Sequence, residues 1–288
     1  MSKYFYLIAG LPDVALEDTK ITYSIEDFND EIYPYLSKKD KKIIDLFFLS
    51  YDNKNLLDLL LNEEAKINAR GNFTKEKLLY FISIIKESVE NDERIIIKEK
   101  DFPAYLVEFL KHYFSDQEKE KKPKVYLEDY LSVLYYKYAL KCKNEFTAKW
   151  FQFNLNLKNT LIALSGRRYN IDVSESILGE NQIAKALRTS TMRDFGLSEE
   201  LDYLEELIKV DEITELTDRE KKIDELRWRW MEEETITNYF TIERLFVFLI
   251  QIDIIERWNL LDKEKGNQIF RGIIDSLKNE VQIPKEFR

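Results

Sequence analysis

Histidine and cysteine occur once each in this 288-residue chain, glycine seven times and proline five times. The lone cysteine, Cys142, excludes an internal disulfide and a cysteine-built metal cluster; it fits a reducing compartment and reads as a small buried apolar group. The lone histidine, His112, excludes a histidine-rich metal site, and its LKHYF surroundings point to packing or surface. Scarce glycine and proline disfavour sandwiches, barrels and glycine-rich nucleotide folds, all of which need many tight turns. No Walker lysine loop, GxGxxG or GxSxG is present. The most apolar window, residues 245–255, is 11 residues long and carries Gln251 and Asp253. A membrane span takes about 20 apolar residues, so this stretch reads as a buried core helix. The N-terminal apolar run is shorter than the core of a secretion signal.

What is present is a large apolar and aromatic complement. With 18 Phe, 17 Tyr and 4 Trp, the chain can bury a sizeable core as one extended domain or two packed ones. A net charge of −10 opposes nonspecific binding to nucleic acid or anionic lipid, both polyanions. That charge is unevenly spread. Residues 141–193 hold nine Lys/Arg against four Asp/Glu, whereas residues 198–234 hold six against fifteen. Blocks of this kind form solvated helix faces, and adjacent blocks of opposite sign can also orient a docking partner.

Helical periodicity organises the chain around residues 150–170, whose Trp150, Phe153, Leu157, Leu161 and Leu164 recur every three to four positions. This stretch reads as the middle of the longest helix, ending at Ser165-Gly166, where glycine favours a left-handed cap. Ser24, Ser37 and Thr74 read as helix N-caps, and Gly71-Asn72 as a break. Residues 4–9 read as extended or as a helical turn, with extended preferred, and residues 94–98 as a short extended segment before a helix over 104–114. The charged run 116–124 reads as a linker between an N-terminal helical region, 1–122, and a C-terminal one, 123–288, which can also pack as one unit. Beyond it the pattern predicts helical segments over 125–143 and 174–193, with breaks at Gly179 and Gly196, and an acidic helix from Ser198. Another helix is expected behind a capping box at Thr217–Glu220, and a second long one over 241–261. Trp228 and Trp230, two apart on a helix, point different ways, so one is expected in the core and the other in a contact. The fold class is therefore mostly all-α.

Candidate catalytic groups are few. Glu232, Glu233 and Glu234 diverge by about 100° each around a helix and read as a solvated face. Asp194 beside Arg193 reads as a local ion pair. No catalytic, cofactor-binding or metal-ligating residue is assigned, and no cofactor is expected. The basic block supplies the candidate protein-interaction residues: Arg167, Arg168, Arg188 and Arg193. For Arg167 and Arg168 the alternative is capping of their own helix or pairing with the acidic helix over 198–209.

Tyr4-Phe5-Tyr6-Leu7-Ile8-Ala9-Gly10-Leu11-Pro12-Asp13 resembles the opening of a bacterial family of unassigned domain function, whose genes commonly sit among those of a V-type ATPase. Asn156-Leu157-Lys158-Asn159, with Ala163-Leu164 and Arg167-Arg168-Tyr169, resembles a helix of the C-type subunit of V-type ATPases, which is the d-type subunit in eukaryotes. Phe248, Ile252, Glu256, Arg257 and Leu260 are similar to the last long helix of the same protein, although Arg257-Trp258-Asn259 stands where it usually has Asn-Leu-Arg.

The resemblance implies an all-helical, funnel-like, non-catalytic central-stalk adaptor, linking rotor shaft to membrane ring in proton or sodium transport. Its implied partners are the V-type ATPase rotor shaft subunits and the membrane ring, with no nucleic acid and no membrane span of its own. Its implied place is cytoplasmic, peripheral to the inner membrane through the complex. A helical scaffold or regulatory module unrelated to the ATPase, and a small helical enzyme using carboxylates distant in sequence, remain the alternatives.

Overall fold

The computed structural model describes residues 4–93, 95–98, 101–115 and 124–280, with residues 124–125 and 263–280 as backbone alone. Among the described residues eleven α-helices follow one another: α1 (Phe5–Ala9), α2 (Ile25–Glu31), α3 (Lys38–Leu61), α4 (Lys75–Glu90), α5 (Ala104–Ser115), α6 (Lys124–Ala139), α7 (Glu145–Tyr169), α8 (Gln182–Thr189), α9 (Leu204–Asp211), α10 (Leu216–Thr235) and α11 (Ile242–Glu280). Short 3-10 turns occupy Tyr33–Tyr35 and Ser174–Ser176, and no strand occurs among the described residues. The all-α reading holds.

The chain divides into two compact units. One joins Met1–Leu36 to Asp224–Arg288, and the other is Ser37–Ile223. The expected linker, 116–124, lies outside the described residues apart from Lys124. The helices flanking it, α5 and α6, pack together within the second unit.

In the unit that unites the chain ends, α11 runs through the core. Leu245, Phe246, Val247, Phe248, Leu249 and Ile250 are consecutive and all buried, so this helix has neighbours on every side. Its next two turns tie down the N-terminal segment with polar side chains. The buried Glu256 carboxylate accepts the Ile25 N–H at the start of α2 (2.8 Å), and Asn259 donates to the Asp18 carbonyl (3.1 Å). Tyr23 meets Phe248 edge to face, with ring centroids 5.4 Å apart. α2 starts where Ser24 and Asp27 form a reciprocal capping box.

In the other unit, α3 to α6 pack around a shared aromatic core. Phe102 is fully buried and stacks on Phe81 at 4.2 Å, while Tyr135 donates to the Leu46 carbonyl (2.8 Å). The loop from α3 to α4 is wired onto α3. Buried Asp52 accepts the N–H groups of Asn72 (2.9 Å) and Phe73 (3.1 Å) and the Asn72 amide (2.9 Å). Asn55 takes the Asn68 N–H (2.7 Å) and returns a bond to its carbonyl (2.9 Å). Gly71 passes so close that a β-carbon there would lie 2.3 Å from Asp52 Oδ1.

Several boundaries differ from expectation. Residues 4–9, expected extended, form α1: Ile8 N–H returns to the Tyr4 carbonyl, a local bond that a lone strand without a sheet edge would lack. The longest helix is α11, 39 residues, not α7 with 25. α7 does not stop at Ser165-Gly166, because Gly166 stays helical and buried while Asn170 takes the left-handed cap (φ 53°). The returning loop needs the missing side chain, since a β-carbon at Gly166 would lie 2.5 Å from Val173 Cγ2 and 3.0 Å from the Ile171 carbonyl. The segment 174–193 is α-helical only in α8, after a 3-10 turn at Ser174–Ser176 and a break at Gly179 (φ 83°). The acidic helix starts at Leu204 rather than Ser198, because Ser198 is engaged by Asp194 (2.6 Å). α10 starts at Leu216, ahead of Thr217, and the Glu215 carboxylate accepts the Asp218 N–H (3.0 Å). The caps at Ser37 and Thr74 stand where expected, and residues 95–98 have no regular structure.

Two predictions follow from these close approaches. Alanine is favoured over glycine inside a helix by about 1 kcal/mol, yet Gly166→Ala is expected to lower stability by about 1–3 kcal/mol through overpacking. A urea midpoint above wild type would refute this. The second concerns Asp52, whose burial pushes its carboxyl up to about 6 despite three N–H donors that favour the anion. The unfolded chain ionises this group near 3.8, so between roughly pH 4 and 6 the folded state binds more protons and stability falls as pH rises. The stability of wild type relative to Asp52→Asn should therefore decline across that window by at most about 3 kcal/mol. Denaturant titrations at pH 4, 5, 6 and 7 measure it, and a flat difference rejects the assignment.

Candidate functional site

α7 carries the polar seam and two of the arginines singled out in the sequence, Arg167 and Arg168, while Arg188 lies on α8 and Arg193 on the loop after it. Along its middle, Asn159 forms a paired amide contact with the backbone of Leu178, donating to the carbonyl and accepting the N–H, each at 2.8 Å. Asn156 Oδ1 accepts from Gln152 (2.9 Å) and Asn181 (3.3 Å), and Asn181 Oδ1 in turn caps α8 through the Ala184 N–H (2.7 Å). The asparagines of the Asn-Leu-Lys-Asn segment thus hold the loop that follows α7. Lys158 is half-buried, and that desolvation pushes its ammonium below the usual range, while Asp129 at 3.9 Å opposes the shift.

At the C-terminal end of α7 the arginines serve backbone carbonyls and one buried acid. Arg167 donates to the carbonyls of Ser190 (2.7 Å), Met192 (2.5 Å) and Arg193 (3.0 Å). Its guanidinium also lies over the Phe195 ring, 3.4 Å from the centroid. Phe195 holds φ 56° and Gly196 φ 71°, a turn that costs about 1–3 kcal/mol at a non-glycine position. Arg167 pins that turn from one side. Asp194 closes it from the other, accepting the Gly196 N–H (3.0 Å) and the Ser198 hydroxyl (2.6 Å). Asp194 is therefore a turn-closing group, with an acidity raised by those donors.

Arg168 pairs with Asp211 of α9 at 2.6 Å, where the carboxylate is largely buried. Arg188 donates to the carbonyls of Ser174 (3.2 Å), Ile177 (2.6 Å) and Gly179 (2.7 Å), with Glu180 at 3.7 Å. Arg193 is exposed and lends its carbonyl to Arg167. Three of the four candidate interaction residues thus have internal duties, and charge clustering alone did not reveal them. The readable signal was positional: arginines in the last turn of a helix are suited to leftover carbonyls.

What this end of α7 offers a partner is apolar. Tyr169 is 64% exposed, Ile171 62% and Met192 60%, all beside the arginine-held turn. Arg167 bonds the Met192 carbonyl to the helix end that carries Tyr169 and Ile171, so these three are not singly scattered apolar residues.

Other candidates resolve as packing. His112 lies against Tyr130, with ring centroids 4.4 Å apart. Cys142 is half-buried, and burial pushes its thiol up, leaving it a weak nucleophile. Trp228 is buried and donates to Glu232 (3.0 Å), whereas Trp230 is half-buried and Glu232 to Glu234 are exposed. A groove of about 320 Å³ between α3 and α6 is lined by Asn53, Leu57, Asp58, Glu128 and Leu131. Among the described residues no group of three or more His, Cys, Asp or Glu could hold a metal ion. None of the described helices is long and apolar enough to cross a membrane.

Arg167→Ala is expected to cost about 1–3 kcal/mol, because it leaves three carbonyls without their charged donor and removes the cover of Phe195. Arg193→Ala should stay within about 0.5 kcal/mol of wild type. Urea unfolding compares the two, and equal losses would overturn the distinction.

No curated protein and no solved structure matches the chain. Residues 1–281 match the family described as protein of unknown function (DUF2764), and the chain belongs to that family.

Proposed function

We propose that the chain is a non-catalytic protein-binding adaptor, and specifically the central-stalk adaptor of a V-type ATPase that its resemblance to the C-type subunit implies. In this reading it links the rotor shaft to the membrane ring during proton or sodium transport, and reaches the cytoplasmic face of the membrane only through that complex. The observation that carries the reading is the exposed apolar end of α7, Tyr169, Ile171 and Met192, on a turn made rigid by Arg167.

An element that transmits torque has to join its partners through apolar contact on a scaffold that does not yield. Charge sets orientation and encounter rate more than affinity. Both requirements are met at this end of α7. The guanidinium of Arg167 fixes the turn from within, and the apolar side chains stand outside it. Arg193 is exposed on the same turn and is placed to steer an acidic partner.

Co-purification with the shaft and ring subunits in mild detergent tests the assignment. Wild type should retain rotor subunits through a wash. The double variant Ile171→Ser and Met192→Ser should retain at least about tenfold less, with its melting temperature within about 2 °C of wild type. Absence of rotor subunits from the wild-type preparation would sink the ATPase reading. Undiminished retention by the variant would sink the role of this surface.

A further inference from the structure

An adaptor needs a second surface, and the unit formed by the chain ends carries one of opposite character. α1 lays Phe5 against Phe240 at a ring-centroid distance of 4.7 Å, with Tyr6 edge to face on Phe5 at 5.5 Å. Phe240 belongs to the turn between α10 and α11, which also exposes Ile236 (67%) and Tyr239 (65%), while Tyr6 is 77% exposed. One place thus gathers four large side chains, Phe5, Tyr6, Ile236 and Tyr239, that face water.

The charge around this patch is arranged against the protein's own electrostatics. Glu232, Glu233 and Glu234 are exposed in the last turn of α10, where the helix dipole is negative and no basic residue lies in that turn. Carboxylates at a helix C-terminus meet its partial negative charge, and adjacent carboxylates repel one another. A cation brought from outside relieves both. This rim is what a basic partner would meet, and it disfavours anionic membranes and acidic proteins alike.

We propose that Phe5, Tyr6, Ile236 and Tyr239, rimmed by Glu232 and Glu233, form a docking surface for a protein segment that presents an apolar stripe flanked by lysine or arginine. The inference extends the adaptor reading by giving it a second partner class, yet it stands on observations in a different unit. Tyr6 and Tyr239 supply rigid aromatic contact, the kind that dominates binding energy. The glutamates supply sign selectivity and rate.

The probes are two synthetic helical peptides with the same leucine stripe, one flanked by lysines and one by glutamates, titrated into the full chain at low and high salt. The lysine peptide should bind and slow hydrogen exchange at 236–240. The glutamate peptide should bind at least about tenfold more weakly. Tyr6→Ser with Tyr239→Ser should weaken the lysine peptide about tenfold or more at both salt concentrations. Glu233→Lys should weaken it at low salt only, since its contribution is screened. Unchanged melting temperatures certify that both variants fold.

Equal binding of the two peptides, no binding of either, or binding untouched by the variants would overturn the proposal. So would sedimentation showing that the wild type dimerises through this patch and the tyrosine variant does not, because the occupant is then a second copy. Failure of the rotor co-purification leaves these outcomes unaffected, so the two ideas fall separately.

Discussion

The burial of α11 is the constraint from which the rest of its unit follows. Six consecutive apolar residues, 245–250, face every direction around the helix, so no single covering layer can shield them. Each contributes roughly 1.5–3 kcal/mol when fully withdrawn from water, and that return is available only if chain from elsewhere wraps the helix. Residues 4–36 supply it. They are joined to α11 by bonds that span 231 residues at Ile25–Glu256 and 241 at Asp18–Asn259. Closing so long a loop adds little to the equilibrium cost, about 0.6 kcal/mol per doubling of length. Its weight falls on folding rate, since these contacts form only after the intervening residues have been brought close.

The same unit shows how α11 treats charge. Asp224 is fully buried and accepts from Arg227 (2.9 Å), from Trp258 (2.8 Å) and from Arg257. Removing one partner of a buried ion pair commonly costs about 3–5 kcal/mol, mainly because the remaining charge is stranded. The cluster is therefore better seen as fixing the register of α10 on α11 than as a source of net stability. Glu256 follows the same rule with a different partner, the positive end of α2, whose first N–H it accepts. Arg257 and Glu256 carry part of the resemblance to the last helix of the V-type ATPase adaptor, and both are engaged within this chain.

Local rules were legible in the sequence, and long-range ones were not. Ser24, Ser37 and Thr74 announced helix starts because capping is decided within four residues, and each caps as expected. The all-α class was legible because periodicity and the scarcity of glycine and proline act along the whole chain. Gly166 misled, because glycine in a helix signals either a left-handed cap or a close approach. Only the fold shows that Val173 comes back over it. Residues 4–9 misled because an aromatic and aliphatic run has no preferred period, and contact between Phe5 and Phe240 decides the matter from 235 positions away. The asparagines of α7 were visible as polar residues in an apolar helix. Their partners, Leu178 and Asn181, lie about 20 residues on in a loop without periodic signal.

The arginines show most clearly why charge counting overreaches. Residues 141–193 sum to a local +5, which suggests a surface waiting for an acidic partner. Yet a guanidinium has five donors in a planar fork, and a turn that ends several short helices has carbonyls to satisfy. Arg167 and Arg188 each take three, and Arg168 takes a nearly buried carboxylate. Donating to neutral carbonyls leaves the formal charge in place, so Arg167 and Arg188 still contribute to the field around the turn. What they lose is freedom to reach outward and form a paired contact. A partner at this end of α7 would therefore feel the field during approach but be held by Tyr169, Ile171 and Met192. On the proposed docking surface after α10 the sign is reversed and the labour would divide in the same way, with aromatic residues for contact and carboxylates for approach. In both places internal bonds hold the turns in shape, which is what either proposed surface needs if a few exposed apolar side chains are to act together.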